Sequence, residues 1–180
     1  LASGDGPEAL SRALLAARGR CDVLVNNASA FFETPVGRFD DAAWDALVGS
    51  NLRGPLFLAQ GLAPALREAG GAIVNLVDVH AWRPLPGYPV YSAAKAGLLM
   101  ATRSLALELA PEVRVNAVAP GAILWPEGEG WETRREALLA RVPLGRTGRP
   151  EDVADAVCFL ARAPYVTGQV LAVDGGLSIA

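Results

Sequence analysis

The sequence has little with which to hold a metal or cross a membrane. Its 180 residues include two cysteines, one histidine and one methionine. Cys21 and Cys158 form neither a metal-ligand spacing nor a disulfide framework; both read as small core residues in a reducing compartment. No metal is expected. No apolar run approaches the ~20 residues a membrane helix needs, and no secretory leader is expected. Sixteen basic residues face nineteen acidic ones, a net charge of −3, with no basic run to attract nucleic acid. Charged residues make up only 19% and hydrophobic ones 52%, which favours a sizeable core over disorder. These absences leave a cytoplasmic globular protein whose partner is a small molecule, with no nucleic acid and no membrane.

What is present centres on Tyr91-Ser92-Ala93-Ala94-Lys95, near the start of a helical pattern from Pro89 to Ala110. Pro89 suits the first helical position, where its missing N–H costs nothing. Residues four apart share a helix face, so Tyr91 and Lys95 point the same way. A lysine ammonium nearby favours the phenolate and is expected to lower the tyrosine pKa. The positive end of the helix acts in the same direction. A phenol tuned this way can give or take a proton near neutral pH. A Tyr/Lys pair on an ordinary helix surface would look the same, so the neighbours decide.

In order along the chain, Gly4-Asp5-Gly6-Pro7-Glu8-Ala9 imitates a dinucleotide fingerprint, but no strand precedes it, and a helix from Pro7 to about Ala17 is the better reading. Cys21–Val25 reads as a buried strand entering the polar loop Asn26-Asn27-Ala28-Ser29. Asp40-Asp41 caps the next helix, Ser50-Asn51 interrupts a helical stretch, and Gly54–Ala69 resumes it until Gly70-Gly71. Ala72–Val77 is a second buried strand, followed by Asp78 and a proline-rich loop to Tyr88. Val113–Val118 is a third strand, closed by Pro120-Gly121. A loop from Ala122 to Gly130, with Trp125 and Pro126, leads to a helix over Trp131–Arg141. A further helix spans Pro150–Ala161, and a short strand spans Val170–Val173. Apolar strands alternating with helices predict an α/β domain with a parallel sheet. Ligands of such sheets bind at the carboxyl ends of the strands. Asn26, Asp78 and Pro120-Gly121 all fall at such ends, with Tyr91 one loop beyond.

These residues resemble the short-chain dehydrogenase/reductase family. The matching elements are Asn26-Asn27-Ala28, Asn51, the Tyr91/Lys95 pair, Arg114-Val115-Asn116 with Pro120-Gly121, and Thr167-Gly168-Gln169 with Val173-Asp174-Gly175-Gly176. Within the family the chain is most similar to pteridine reductases. Asp78 stands where most relatives carry a serine, Ser29–Pro35 resembles the pteridine-reductase loop, and Leu85-Pro86-Gly87-Tyr88 also fits.

The resemblance implies a Rossmann-like, doubly wound parallel sheet, N-terminally truncated by three strands. Residues 1–180 would be a single domain lacking its first βαβαβ portion and the glycine-rich turn that holds the cofactor pyrophosphate. The 180 residues alone are then expected to be inactive and to associate through an open sheet edge. The implied reaction is NADPH-dependent reduction of a dihydrobiopterin- or dihydrofolate-type pterin; a carbonyl reductase acting on a 3-oxoacyl thioester is the alternative. The catalytic set is Tyr91, Lys95, Asp78 and Asn51. Tyr91 gives the proton, Lys95 also holds the nicotinamide ribose, and Asn51 holds a water continuing the proton path. Asp78 binds the pterin edge and relays a proton, with burial keeping part of it protonated. A plain loop-capping aspartate is the competing reading. Phe31 would stack on the substrate ring, or else be a core residue. Asn26, Ala28 and Ser29 would line the cofactor, as would Pro120, Gly121 and Ile123 near the nicotinamide amide. His80 is expected to be a loop residue near the substrate mouth. A homodimer or homotetramer is implied.

Overall fold

Parallel strands need long crossovers, and helices supply them here. The computed structural model describes residues 4–124 and the backbone from 131, with side chains from 135, to 180. Trp125 and Pro126 lie outside the described residues. The order is α1 (Gly6–Arg18), β1 (Val23–Asn26), α2 (Asp41–Val48), a π-helical turn (Gly49–Arg53), α3 (Gly54–Ala69), β2 (Ala72–Leu76), α4 (Pro89–Glu108), β3 (Arg114–Pro120), α5 (Trp131–Leu139), α6 (Pro150–Arg162) and β4 (Val170–Val173). Short 3₁₀ turns at Val79–Ala81 and Leu177–Ile179 complete it. The four strands lie in chain order β1-β2-β3-β4, all parallel.

The period of two along each strand divides the core. Ile73 and Val115 meet Ala59, Leu62 and Leu66 of α3 and Ala106 of α4. Val74, Leu76 and Val118, one residue out of phase, meet Ala156 and Leu160 of α6. Helices therefore cover both faces, and the near-continuous apolar runs of β2 and β3 follow from that. β1 departs from its expected burial. It starts two residues later than the sequence suggests and, among the described residues, pairs only with β2. As an edge strand it leaves Val23 and Val25 exposed at 44% and 42%. The helix expected over Trp131–Arg141 ends at Leu139, and α4 ends at Glu108.

Local chemistry sets the loop directions. Asp40 accepts a hydrogen bond from the Ala43 backbone N–H at 2.9 Å and so starts α2. The stretch around Asn51 does not break; it widens into the π-turn, a feature often found beside functional sites. A buried polar chain ties the carboxyl end of β1 to β2 and α4. The Asn26 amide donates to Asn75 Oδ1 at 2.8 Å, and the Asn75 amide donates to Thr102 Oγ1 at 2.9 Å. Removing the middle link strands a donor on Asn26 and opens a void. Asn75→Ala should therefore cost about 2–4 kcal/mol of stability. Urea unfolding measures it, and a change below ~0.5 kcal/mol would show that the chain carries no weight.

Candidate active site

Pro89 at the first position of α4 places Tyr91 in its first turn and Lys95 one turn on, both on the buried face. Tyr91 is 4% exposed and Lys95 3%. The Lys95 ammonium donates to the carbonyl of Leu76, at the end of β2, at 2.8 Å. Its nitrogen lies 5.8 Å from the centre of the Tyr91 ring. β2 then delivers Asp78, whose two oxygens divide the two roles weighed for it. Oδ1 accepts the backbone N–H of His80 at 2.9 Å and caps the 3₁₀ turn. Oδ2 accepts the Tyr91 hydroxyl at 2.6 Å. Asp78 is half-buried, so the condition on which part of it would stay protonated is not fully met.

This geometry reverses the expected tuning of Tyr91. Burial, then the charge of Asp78, then the hydrogen bond to Asp78 push the phenol above its ordinary value; the Ser29 hydroxyl acts weakly the other way. The lysine was expected to win because it is one turn away. It loses because the carboxylate is in direct contact with the hydroxyl while the ammonium is held on the Leu76 carbonyl. Tyr91 is therefore a stored acid. Burial lowers Lys95 to about 8, against an opposing pull from Asp78. The folded chain thus binds fewer protons at Lys95 than the unfolded chain between about 8 and 10.5, so this group's contribution to stability rises with pH across that window.

Phe31 stacks on Tyr88 with ring centres 4.6 Å apart and planes 11° from parallel, and it meets Tyr91 edge-on at 4.8 Å. It is 41% exposed and lines the cavity, which sets aside the reading of a core phenylalanine. Its loop is fastened to the one before α4 by Thr34 N–H to Gly87 O at 2.8 Å. Asn51 is fully buried. Its amide donates to Ala30 O and Leu47 O, at 2.8 and 2.9 Å, and its oxygen accepts Ser29 Oγ–H at 2.6 Å. Both amide donors are spent, so the side chain positions the Ser29–Ala30 loop instead of holding a water through those donors. His80 lies in the loop, its Nδ1 within 2.8 Å of the Arg83 carbonyl oxygen, and lines the same cavity.

That cavity, of about 710 Å³, brings together Phe31, Asp78, Tyr88, Tyr91 and Gly121. Gly121 is needed for a close approach: a Cβ there would lie 2.7 Å from Asp174 Cβ and 2.8 Å from its Cα. Pro120 ends β3 just above. Ile123 turns elsewhere, toward Gly148, where a Cβ would meet its Cδ1 at 2.5 Å. Asn26 and Ala28 border a second hollow of about 220 Å³, with Leu10 and Leu14 of α1. The Asn26 side chain spends one amide N–H on Asn75 Oδ1, which fixes its orientation at the strand end. Sequence reasoning gave no role to Asn75 and Thr102, nor to Leu177 and Arg141 in the cavity wall. Their roles depend on segments far apart in the chain; only the isolated polar residue inside the apolar run of β2 hinted at Asn75.

A nicotinamide cofactor fits these residues on one observation. Lys95 is almost wholly buried, yet among the described residues its ammonium, with three donors, spends one, on Leu76 O. A ribose diol at the carboxyl end of the sheet answers that surplus.

Comparison with known proteins agrees with this fold. Residues 3–178 match the family described as enoyl-(acyl carrier protein) reductase. A 3-oxoacyl-[acyl-carrier-protein] reductase of Thermotoga maritima is 45% identical over 166 residues, covering 89% of this chain and 68% of its own length. Pteridine reductase 1 of Leishmania tarentolae is 41% identical over 186 residues, covering 89% and 64%. Among solved structures, a putative short-chain alcohol dehydrogenase from Sinorhizobium meliloti superposes with a TM-score of 0.92 at 34% identity, covering 99% of this chain and 74% of that one. A Brucella melitensis structure titled short-chain dehydrogenase/reductase reaches 0.87 at 33%, covering 98% and 72%.

Proposed function

The chain belongs to the short-chain dehydrogenase/reductase family, and from that premise we propose that it reduces a pterin with NADPH. One observation carries the choice of substrate: the carboxylate of Asp78 sits 2.6 Å from the Tyr91 hydroxyl. A ketone oxygen entering beside Tyr91 offers only lone pairs, and an ionised carboxylate answers it with more lone pairs. A pterin edge offers ring N–H and exocyclic amine donors, which a carboxylate accepts as charge-assisted hydrogen bonds. When bound, the nicotinamide supplies the hydride. Tyr91 holds the proton that balances it, Asp78 orients the ring edge, and Phe31, braced by Tyr88, stacks on the ring face. Lys95 holds the ribose.

A second reading, reduction of a 3-oxoacyl thioester, has the names of the relatives on its side. The relatives bearing the 3-oxoacyl-[acyl-carrier-protein] name include the 45% match, and they back this reading better than the pteridine reductase of Leishmania tarentolae does. It requires the site to polarise a carbonyl without a hydroxyl beside Tyr91. The two part in a direct assay: NADPH oxidation by the full-length protein with dihydrobiopterin and dihydrofolate against acetoacetyl thioesters. Turnover of the pterins is expected. Activity confined to the thioesters would overturn the pterin reading.

A further inference from the structure

The turn after β4 forms part of the cavity wall. It begins at Asp174, whose carboxylate accepts the N–H groups of Gly176 at 2.9 Å and Ser178 at 2.7 Å. Leu177 of that turn is buried at 4% exposure, belongs to the same core cluster as Val79 and Val142, and lines the cavity. Arg83 grips the far end of the turn. Its Nη1 donates to the main-chain oxygen of Leu177 and, at 2.6 Å, to that of Ala180. Arg83 is also part of the loop that carries Asp78. Its N–H donates to Val79 O at 3.0 Å, and its carbonyl oxygen meets the His80 ring at 2.8 Å. The His80 N–H donates to Asp78 Oδ1, and Asp78 Oδ2 accepts the Tyr91 hydroxyl. A run of hydrogen bonds thus joins the reacting hydroxyl to a turn more than 80 residues further along the chain.

We propose that Arg83 is a positioning residue: it latches the turn Leu177–Ile179 onto the Asp78 loop, and so sets the cavity wall at Leu177 and steadies the carboxylate at Tyr91. The proposal rests on Tyr91 and Asp78 meeting the substrate, and it holds for either substrate class above. A guanidinium suits the task because hydrogen bonds from a charged donor are stronger than neutral ones. Arg83 is half-buried, which partly shields it from the water and salt that weaken exposed charges. Its acceptors are main-chain oxygens, so the latch depends on the path of the chain and not on the side chains of the turn. Without the guanidinium the turn keeps its Asp174 cap but loses this tie to the loop. Substrate then meets a wall that is in place only part of the time, and apparent affinity falls by that fraction. Lys95 and its anchor on Leu76 lie outside the latch, so the cofactor is unaffected.

The test separates substrate binding from folding. Arg83→Met keeps an aliphatic stem and removes the charged head. In the full-length protein it should raise KM for the substrate that turns over, pterin or thioester, about tenfold, the scale of one charge-assisted hydrogen bond. The kcat and the NADPH dissociation constant should stay nearly unchanged. A residue that only stabilises the fold would lower the active fraction, and with it the apparent kcat, while leaving KM alone. Arg83→Lys should recover part of the KM, since an ammonium can still donate to a carbonyl. Amide hydrogen exchange reads the latch without activity. The N–H groups of Leu177, Ser178 and Ile179, all bonded within the turn, should exchange faster in Arg83→Met while β2 and β3 stay protected. An unchanged KM, or a loss confined to kcat, overturns the latch. If neither substrate class turns over, the functional reading has failed by itself and exchange decides. Faster exchange in the turn then upholds the latch, and unchanged exchange overturns it.

Discussion

Tyr91→Phe should lower kcat by roughly 10²–10⁴-fold, the usual contribution of a positioned general acid. The substitution removes one oxygen and nothing else that the fold uses. The phenyl ring keeps its edge contact with Phe31 and its place in the first turn of α4. What disappears is the hydrogen bond to Asp78 and the proton it holds. Because burial and Asp78 both favour the protonated phenol, the acid is fully loaded at neutral pH and is drawn out only as the reduced substrate gains negative charge. Affinity for NADPH should barely change, since Lys95 and its anchor on Leu76 are untouched. Steady-state kinetics with a cofactor titration checks both halves. A variant with near-normal turnover would remove Tyr91 from the reaction.

Asp78→Asn should lower kcat/KM for a pterin by roughly 10²-fold, the value of replacing charge-assisted hydrogen bonds to the ring edge by weaker neutral ones. The shape of the side chain is kept, and so is its cap on His80 N–H. The change also has a pH signature with a definite sign. The charge of Asp78 raises both Tyr91 and Lys95. Without it the Tyr91 phenol falls back toward its ordinary value, and Lys95 falls below about 8. Loss of the charged lysine then sets in earlier, so the alkaline limb of the pH–kcat/KM profile moves to lower pH. Asp78→Ser goes further, supplying the hydroxyl that the thioester reading needs. Its pterin activity should fall with that of Asp78→Asn. Should Asp78→Asn keep both full pterin activity and the original alkaline limb, the carboxylate is only a loop cap.

Much of the site could be read from residue order alone. The Tyr91/Lys95 spacing puts both on one face of any helix, and Pro89 ahead of them marks where that helix starts. Apolar runs alternating with helical patterns determined the parallel sheet, and a parallel sheet places Asn26, Asp78 and Gly121 on one rim. These are local properties: backbone periodicity and strand ends do not depend on which neighbour arrives. The sign of the Tyr91 shift was not local. It turned on whether a carboxylate 13 residues away or a lysine four residues away reached the hydroxyl, and only packing decides that distance. The same holds for Asn51, whose amide is spent on Ala30 and Leu47, and for Ile123, which turns to Gly148. Exposure of β1 follows from its place at the sheet edge; its apolar residues alone read as a buried strand, whereas the truncation implied by the resemblance already put an open edge there. Sequence by itself determined the elements and the chemistry they carry to the rim. Tertiary structure alone decided which charges touch, because electrostatic effects fall steeply with ångströms of separation and with solvent, and neither is written in the order of the residues.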